Sequence, residues 1–533
     1  MKKSRKTTLT LLCAALIAAS AAGCAQKQAE NTANKYPAGE VTYPIKTEGE
    51  KVTFWVGLNS AVSKFVTTAT DTQYAQEANK RTGINVEFVH PPAGQEETKF
   101  NLLLASGSMP DIIAWDWMNL SDDIDDLIDK GYITKLNGAM ERYIPNMTKY
   151  IKTIDGLDKL LQTDGGNYYV FPFVRDLDEE RVYCGPVVRK DWLDELGLEI
   201  PETMDEWHTM LTKFKQSKGV SPFLSIKSTF LANGMFLGAY GTTQGMYVDN
   251  GKIVYGPATE NYKKAIETLA QWYSEGLIDQ NYISIDAATM NSKMLNNEVG
   301  ATYGYNASGI GTWTANGKAS NPKFEVAAAK YPVLEKGQKS AFGQKINIVG
   351  EFYDCVISGS SKNKELAARF LDYNFTDEGH MLQHYGTEGK TYTMVDGAPK
   401  YTDFVMHNPD GRTISEVLTD YTHTTYSIPG YASLDAYKQQ LIYPQQHDAL
   451  EKWSDTDADK HLLPPLSMPS EEMSEYTKIM SDIKTYVSDT TNELIMGVRP
   501  ISDFDEFFET LKTLGIERAV ELEQAAYDRY LSR

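Results

Sequence analysis

Cysteine is scarce in this chain of 533 residues: four in all, at positions 13, 24, 184 and 355. That excludes a disulfide scaffold. Cys184 and Cys355 each sit in an apolar, strand-like run (RVYCGPVV and FYDCVIS). The reading preferred here is two buried free thiols, with a single bridge between them as the alternative. Basic residues are in deficit, 52 against 72 acids, for a formal charge of −20. Nucleic acids and anionic lipids bind through basic patches, so both are disfavoured as partners. After residue 19, no stretch reaches the roughly 18 to 20 apolar residues of a membrane span. The body of the chain therefore reads as soluble.

Catalytic and metal signatures are also missing. There is no Gly-x-Ser-x-Gly, His-Glu-x-x-His or Gly-x-Gly-x-x-Gly. Gly389-Lys390-Thr391 lacks the upstream glycine of a phosphate loop, because position 384 is histidine. His380 and His384 lie four apart, but Met381 stands where a catalytic glutamate would be, and the pair reads as a solvated helix face. Asp455, Asp457 and Asp459 imitate the start of a calcium loop, with Lys460 at the turn-glycine position and Leu466 at the bidentate-glutamate position. No metal is expected there. A glycoside hydrolase needs only two facing carboxylates and a cleft, so it stays open as the enzymatic alternative.

The first residues carry an address. Lys2, Lys3, Arg5 and Lys6 precede an apolar run from Leu9 to Ala19, then Ala21-Ala22-Gly23-Cys24. A basic region followed by a short apolar one is a secretory signal. Its ending resembles a bacterial lipobox, with Cys24 as the lipidated residue, although Ala21 stands where leucine is more usual. Removing residues 1–23 takes the formal charge from −20 to −24, since they hold four bases and no acid. Residues 24–50 are polar and poorly patterned, as expected of a tether.

Beyond the tether, KVTFWVGL from Lys51 reads as a buried strand, Thr72 to Thr82 as a helix, and INVEFVH from Ile84 as a second strand. A helix around Lys99 to Ala105 and a strand after Pro110 complete an alternation that signals a parallel, doubly wound sheet. Farther on, Arg189 to Trp207 reads as helix, turn and helix. Gly197 is placed to end the first helix, and Thr203 and Glu206 form a capping box for the second. Phe324 to Pro332 and Ile346 to Ser358 read as strands returning to the first lobe. Some 500 residues exceed what one core usually supports, so two lobes are expected.

Several of these stretches also carry a resemblance. RKDWLDELGLEIPETMDEW, ASGSMPDII, DGGNYYVFP, GLID and YGTEG recur in an order similar to that of family 1 extracellular solute-binding proteins. These are the lipoprotein sugar-binding subunits of bacterial ABC importers, in the subgroup that includes alginate-oligosaccharide binders. The resemblance implies an α/β, two-lobed type II periplasmic-binding-protein fold, each lobe a doubly wound sheet, with ligand in the cleft between them. The expected lobes are 51–172 with 332–462, and 173–331 with 463–533. It further implies a monomer without catalysis or cofactor that hands a carbohydrate to a permease and is held at the membrane only by its lipid. A glycan sensor or adhesin on the same fold is a second reading. Relatives often carry a calcium loop after the Asp-Glu-Trp helix; Lys213 to Pro222 (KFKQSKGVSP) offers no such ligands.

A sugar site needs aromatic platforms for C–H faces and forked polar groups for hydroxyls. Ends of parallel strands line the crevice of open α/β sheets, which selects Asn59, Trp115, Asp116 and Trp117. Tyr305 and Trp313 are expected on a glycine-rich loop of the second lobe. Glu351, Tyr353, Tyr385 and Glu388 are further candidates from the return segment. Arg189 is a candidate for an acidic sugar, with a salt bridge inside its own motif as the alternative. Trp55, Trp192, Trp207 and Trp272 are assigned to packing.

Overall fold

Three parallel strands begin the body of the chain. In the computed structural model, which describes residues 35–36, 38–351, 353–423 and 428–533, the chain divides at Ala38, and the described helices and strands lie in Gly39–Arg533. The signal-like segment and Cys24 lie outside the described residues. β1 (Lys51–Trp55), α1 (Gln73–Thr82), β2 (Asn85–Val89), α2 (Glu96–Ser106) and β3 (Ile112–Trp115) alternate as expected. β1 is central and pairs in parallel with both β2 and β3. The caps are local chemistry. The Thr72 hydroxyl accepts the Ala75 N–H at the start of α1, and Gly83 closes it at φ 74°. A side chain at Gly83 would meet the Ile45 carbonyl at 2.2 Å.

After a first crossover near Phe171, a second core forms around β4 (Cys184–Arg189). α3 (Lys190–Leu196) ends at Gly197 in the left-handed region, and α4 (Met204–Lys218) opens on the Thr203/Glu206 capping box, both as the spacing requires. Such a cap contributes about 1 kcal/mol. α5 (Glu260–Ser274) buries Tyr262, Ile266, Leu269 and Trp272 on one face. β5 (Ala301–Tyr305) and β6 (Val326–Ala328) both pair antiparallel with β4. The second sheet is therefore three-stranded and antiparallel, not doubly wound. β6 also stays in this lobe instead of crossing back.

The return to the first sheet is β7 (Asp354–Ile357), antiparallel to β3 with Asp354 opposite Trp115. Cys184 and Cys355 are both buried and free. α6 (Asp377–His384) and α7 (Leu434–Gln440) follow, then α8 (Pro444–Ser454). Leu441, Ala449, Leu450 and Trp453 are buried in the core around β4, ahead of the boundary expected at residue 463. The reason is a close approach: Gly185 on β4 leaves room for the Trp453 indole, which donates to the Pro186 carbonyl at 3.3 Å. α9 (Ser470–Ile495) and α10 (Ile516–Ser532) complete the second core, which includes Ile483 and Ala519. Arg529 and Arg533 reach back to Asp164 at 2.8 and 2.6 Å, and Arg529 also binds Glu472 at 2.7 Å. Among the described residues no helix is long and apolar enough to cross a membrane.

A Cβ at Gly185 would lie 2.5 Å from the Trp453 ring. Overpacking of this kind costs about 1–3 kcal/mol. Gly185→Ala is therefore expected to lower stability by that amount in denaturant unfolding. An unchanged midpoint would mean that α8 does not pack on β4.

Candidate functional site

A cavity of about 270 Å³ is bordered by Asn59 after β1, by Arg175, Glu180 and Tyr183 after the first crossover, and by His384 and Ser433, among others. Asn59 follows β1, and its Oδ1 accepts the Ala61 N–H at 2.8 Å, which fixes the turn that carries it. Arg175 is 3% exposed and lies over the Phe173 ring at 4.7 Å. Burial and the charge of Asp176 push the Glu180 carboxyl up to about 7, against the lowering influence of Arg175.

On the first-lobe side stands a column of rings. Phe100, buried under α2, stacks on Trp115 at 4.4 Å, and Trp115 stacks on Tyr353 at 5.5 Å. Trp55 and Trp117 brace the column from the core at 5.9 Å from Trp115 and 5.2 Å from Phe100. The column therefore starts in packed interior and ends on the half-buried Tyr353. On the second-lobe side, Tyr183 and Tyr305 stack at 6.1 Å with planes only 4° apart, and Tyr305 is 45% exposed. Arg175 connects the two regions: its charge acts on Glu180 beside the cavity and on Glu351 and Asp354 beside the ring column. Asp116 follows Trp115, and burial raises its carboxyl above the usual range.

Of the expected residues, Asn59 borders the cavity, Tyr305 stacks on Tyr183 of its lining, Trp115 stacks on Tyr353, and the charge of Asp116 acts on Glu351 and Tyr353; the other expected residues stand elsewhere. Trp117 is fully buried, with its indole N–H on the Ile113 carbonyl at 3.1 Å. Trp313 is 1% exposed and bonds Asn291; Gly304 and Gly309 leave the space its ring fills. The run read as a loop is the end of β5, a π-helical turn at Asn306–Gly311 and the helix Thr312–Ser320. Arg189 is 1% exposed, binds Asp191 at 2.7 Å and lies against Trp192 and Phe324. Its guanidinium is held by Asp191 of its own motif and by Asn297 and the Met294 carbonyl. Tyr385 is buried in a small cluster with Tyr392, Tyr401 and Val417, and Glu388 is exposed at the neighbouring bridge to Tyr392. Trp55, Trp192, Trp207 and Trp272 are buried, as assigned.

The residues that sequence reasoning passed over are Arg175, Glu180, Tyr183 and His384. The first three lie in the charged run just after Pro172, where the crossover itself was the available signal. Nor do the histidines form a solvated face. His384 is buried with Nε2 2.7 Å from the Tyr431 carbonyl, and the His380 ring stacks on Tyr431 at 4.0 Å. The acids of the calcium-like run are held by cations: Asp455 by Lys330 and Lys339, Asp457 by Lys460, and Asp459 by Arg181 and Lys345. At the end of α4, Lys218 binds Glu195 at 2.6 Å. Among the described residues no cluster of three or more His, Cys, Asp or Glu is arranged to hold a metal.

Burial holds His380 and His384 to about 3 and about 4, below the ordinary 6.5. The unfolded chain then binds more protons than the folded one between those values and 6.5. Their contribution to stability is fully present above about pH 6.5 and is lost as pH falls toward 4 and 3. His380→Phe, which keeps a ring on Tyr431, is expected to flatten that acid limb in melting temperatures measured across pH. An unchanged limb would assign it to other groups.

Comparison with known proteins bears on the family and the fold. The model for "Bacterial extracellular solute-binding protein" matches residues 65–381. The chain is 25% identical over 551 aligned residues to the fructooligosaccharide ABC transporter substrate-binding protein FusA of Streptococcus pneumoniae serotype 4, covering 97% of each. It is 23% identical to lipoprotein LipO of Bacillus subtilis, covering 82% of this chain and 85% of LipO. Among solved structures, alginate-binding protein AlgQ2 without calcium ion superposes with a TM-score of 0.70 at 22% identity, covering 90% of this chain and 98% of that one. That likeness shows the fold, α/β and of the type II periplasmic-binding kind. A family model that spans more than half of the sequence settles membership: the chain belongs to the bacterial extracellular solute-binding proteins.

Proposed function

We propose that this protein captures an oligosaccharide outside the cytoplasm and delivers it to an ABC permease. The observation that carries the reading is the pair of ring stacks at the cleft, Phe100–Trp115–Tyr353 and Tyr183–Tyr305. Flat aromatic faces match the C–H faces of pyranose and furanose rings, while Asn59, Asp116 and Glu351 offer the polar groups that hydroxyls need. The relation to FusA, named for fructooligosaccharides and an ABC transporter, supports the same reading.

In this reading the two cores are lobes that close over the ligand. Ligand stabilises the closed arrangement because only there do both ring stacks touch it. The hinge is the set of crossing segments near residues 171–181, 344–355 and 455–463. Anchoring through a lipid on Cys24 would hold the protein beside its permease, and the likeness to lipoprotein LipO supports it. The protein binds without turnover; chromatography of oligosaccharides incubated with it is expected to show no product, and product formation would overturn this part.

The binding test is direct. A ligand that binds only the folded state raises its melting temperature. Oligosaccharides are expected to do so, and Tyr305→Ala and Tyr353→Ala are each expected to weaken binding about tenfold, roughly 1.4 kcal/mol. Both side chains are partly exposed, so stability without ligand should stay within about 0.5 kcal/mol. Full affinity in both variants would remove the ring stacks from the site.

A further inference from the structure

The charges around the cleft are unevenly partnered. Asp116 Oδ1 accepts from the Asn119 side-chain amide at 2.9 Å. Glu351 accepts the Asn347 N–H. Glu180 accepts the backbone N–H groups of Leu177 and Leu434. Among the described residues, none of these three carboxylates has a salt bridge to a cation. Below them Asp354, 3% exposed and opposite Trp115, has an oxygen (Oδ2) with no hydrogen-bond partner in the protein.

The neighbouring cations are in the opposite condition. Arg181 binds Asp459 at 2.6 Å, Lys345 binds Asp178 at 2.8 Å and Asp459 at 2.7 Å, and Lys438 binds Glu179 at 3.3 Å. Arg175 stands amid Glu180, Glu351 and Asp354, each of which its charge stabilises. Burial and the charge of Asp116 together raise Glu351 and Asp354, which puts these acids within range of one another. The cleft thus presents two carboxylates, Asp116 and Glu351, whose hydrogen-bond donors in the protein are neutral amides.

Resting on the oligosaccharide reading above, we propose that this cleft selects uncharged oligosaccharides and excludes uronate-containing ones. A neutral sugar supplies O–H donors, and a hydroxyl donating to a carboxylate makes a charge-assisted hydrogen bond. A uronate brings one carboxylate per residue into a site already negative, where like charges in a partly dry cleft repel strongly. Asp116 and Glu351 are the specificity-determining residues, acting through their charge on the ligand.

The experiment measures binding of the full-length secreted protein by calorimetry and thermal shift. Probes are matched for length: kestose and maltotriose as neutral trisaccharides, trigalacturonate and an alginate trisaccharide as acidic ones. At low ionic strength at least one neutral probe is expected to bind at least about tenfold tighter than either acidic probe, with the gap narrowing as salt rises. Asp116→Asn with Glu351→Gln removes two charges at nearly constant shape and is expected to shrink the ratio between the classes by about tenfold. Uronates bound as tightly as neutral sugars, or more tightly, would overturn the charge inference and leave the oligosaccharide reading standing. So would an unchanged ratio in the double variant. Binding of none of the four would remove the oligosaccharide reading itself, and this inference with it.

Discussion

The structure depends on a short backbone ladder between segments far apart in sequence. Phe171 and Cys355 exchange N–H to carbonyl bonds at 2.8 and 3.0 Å, Arg175 donates to Ile348 at 2.9 Å, and Ile346 donates to Arg181 at 3.1 Å. Unpaired amides cannot be left in a dry crossover, so each segment fixes the other. An ion group reinforces it: the buried Lys345 side chain, 1% exposed, binds the exposed Asp178 and Asp459, and Asp459 also binds the buried Arg181. Removing one charge from such a group leaves the others uncompensated. The cleft exists because these crossings hold two cores side by side without merging them.

The ring column shows how a binding surface can be built on packing. Phe100 and Trp117 are wholly interior, yet they set the plane of Trp115, which in turn supports Tyr353 at the surface. Rings fixed in this way lose little freedom when a ligand arrives, which favours affinity. Tyr305, which ends β5, and Tyr183, just before β4, stack on each other and provide the corresponding rigidity in the second lobe.

Much of this was legible in the sequence, and what was not has physical reasons. The alternation of strand and helix from Lys51 to Trp115, the stop at Gly197 and the Thr203/Glu206 cap are local, and they formed as read. The choice between Trp115 and Trp117 was not local. Both lie at the end of β3, but the Trp115 ring stacks on Tyr353 while the Trp117 ring turns back to bond Ile113. The glycines near Trp313 suggested an open loop, whereas Gly304 and Gly309 form the socket that buries it. Nothing in the sequence singles out Arg175, Glu180 and Tyr183, because their neighbours come from distant stretches near residues 344–348 and 434–437.

The first sheet has one strand out of order, and that governs how the chain assembles. β1, β2 and β3 are contiguous, but the edge of β3 is covered only by β7 (Asp354–Ile357), after the whole antiparallel sheet of the second lobe has been synthesised. Until then Ile112, Ile113 and Ala114 present an apolar edge able to pair with any passing strand. Contacts of such long sequence separation also form slowly. An emerging chain therefore carries its own aggregation hazard for more than two hundred residues of growth, from Trp115 to Asp354, and the strand that relieves the hazard is the one that builds the cleft floor.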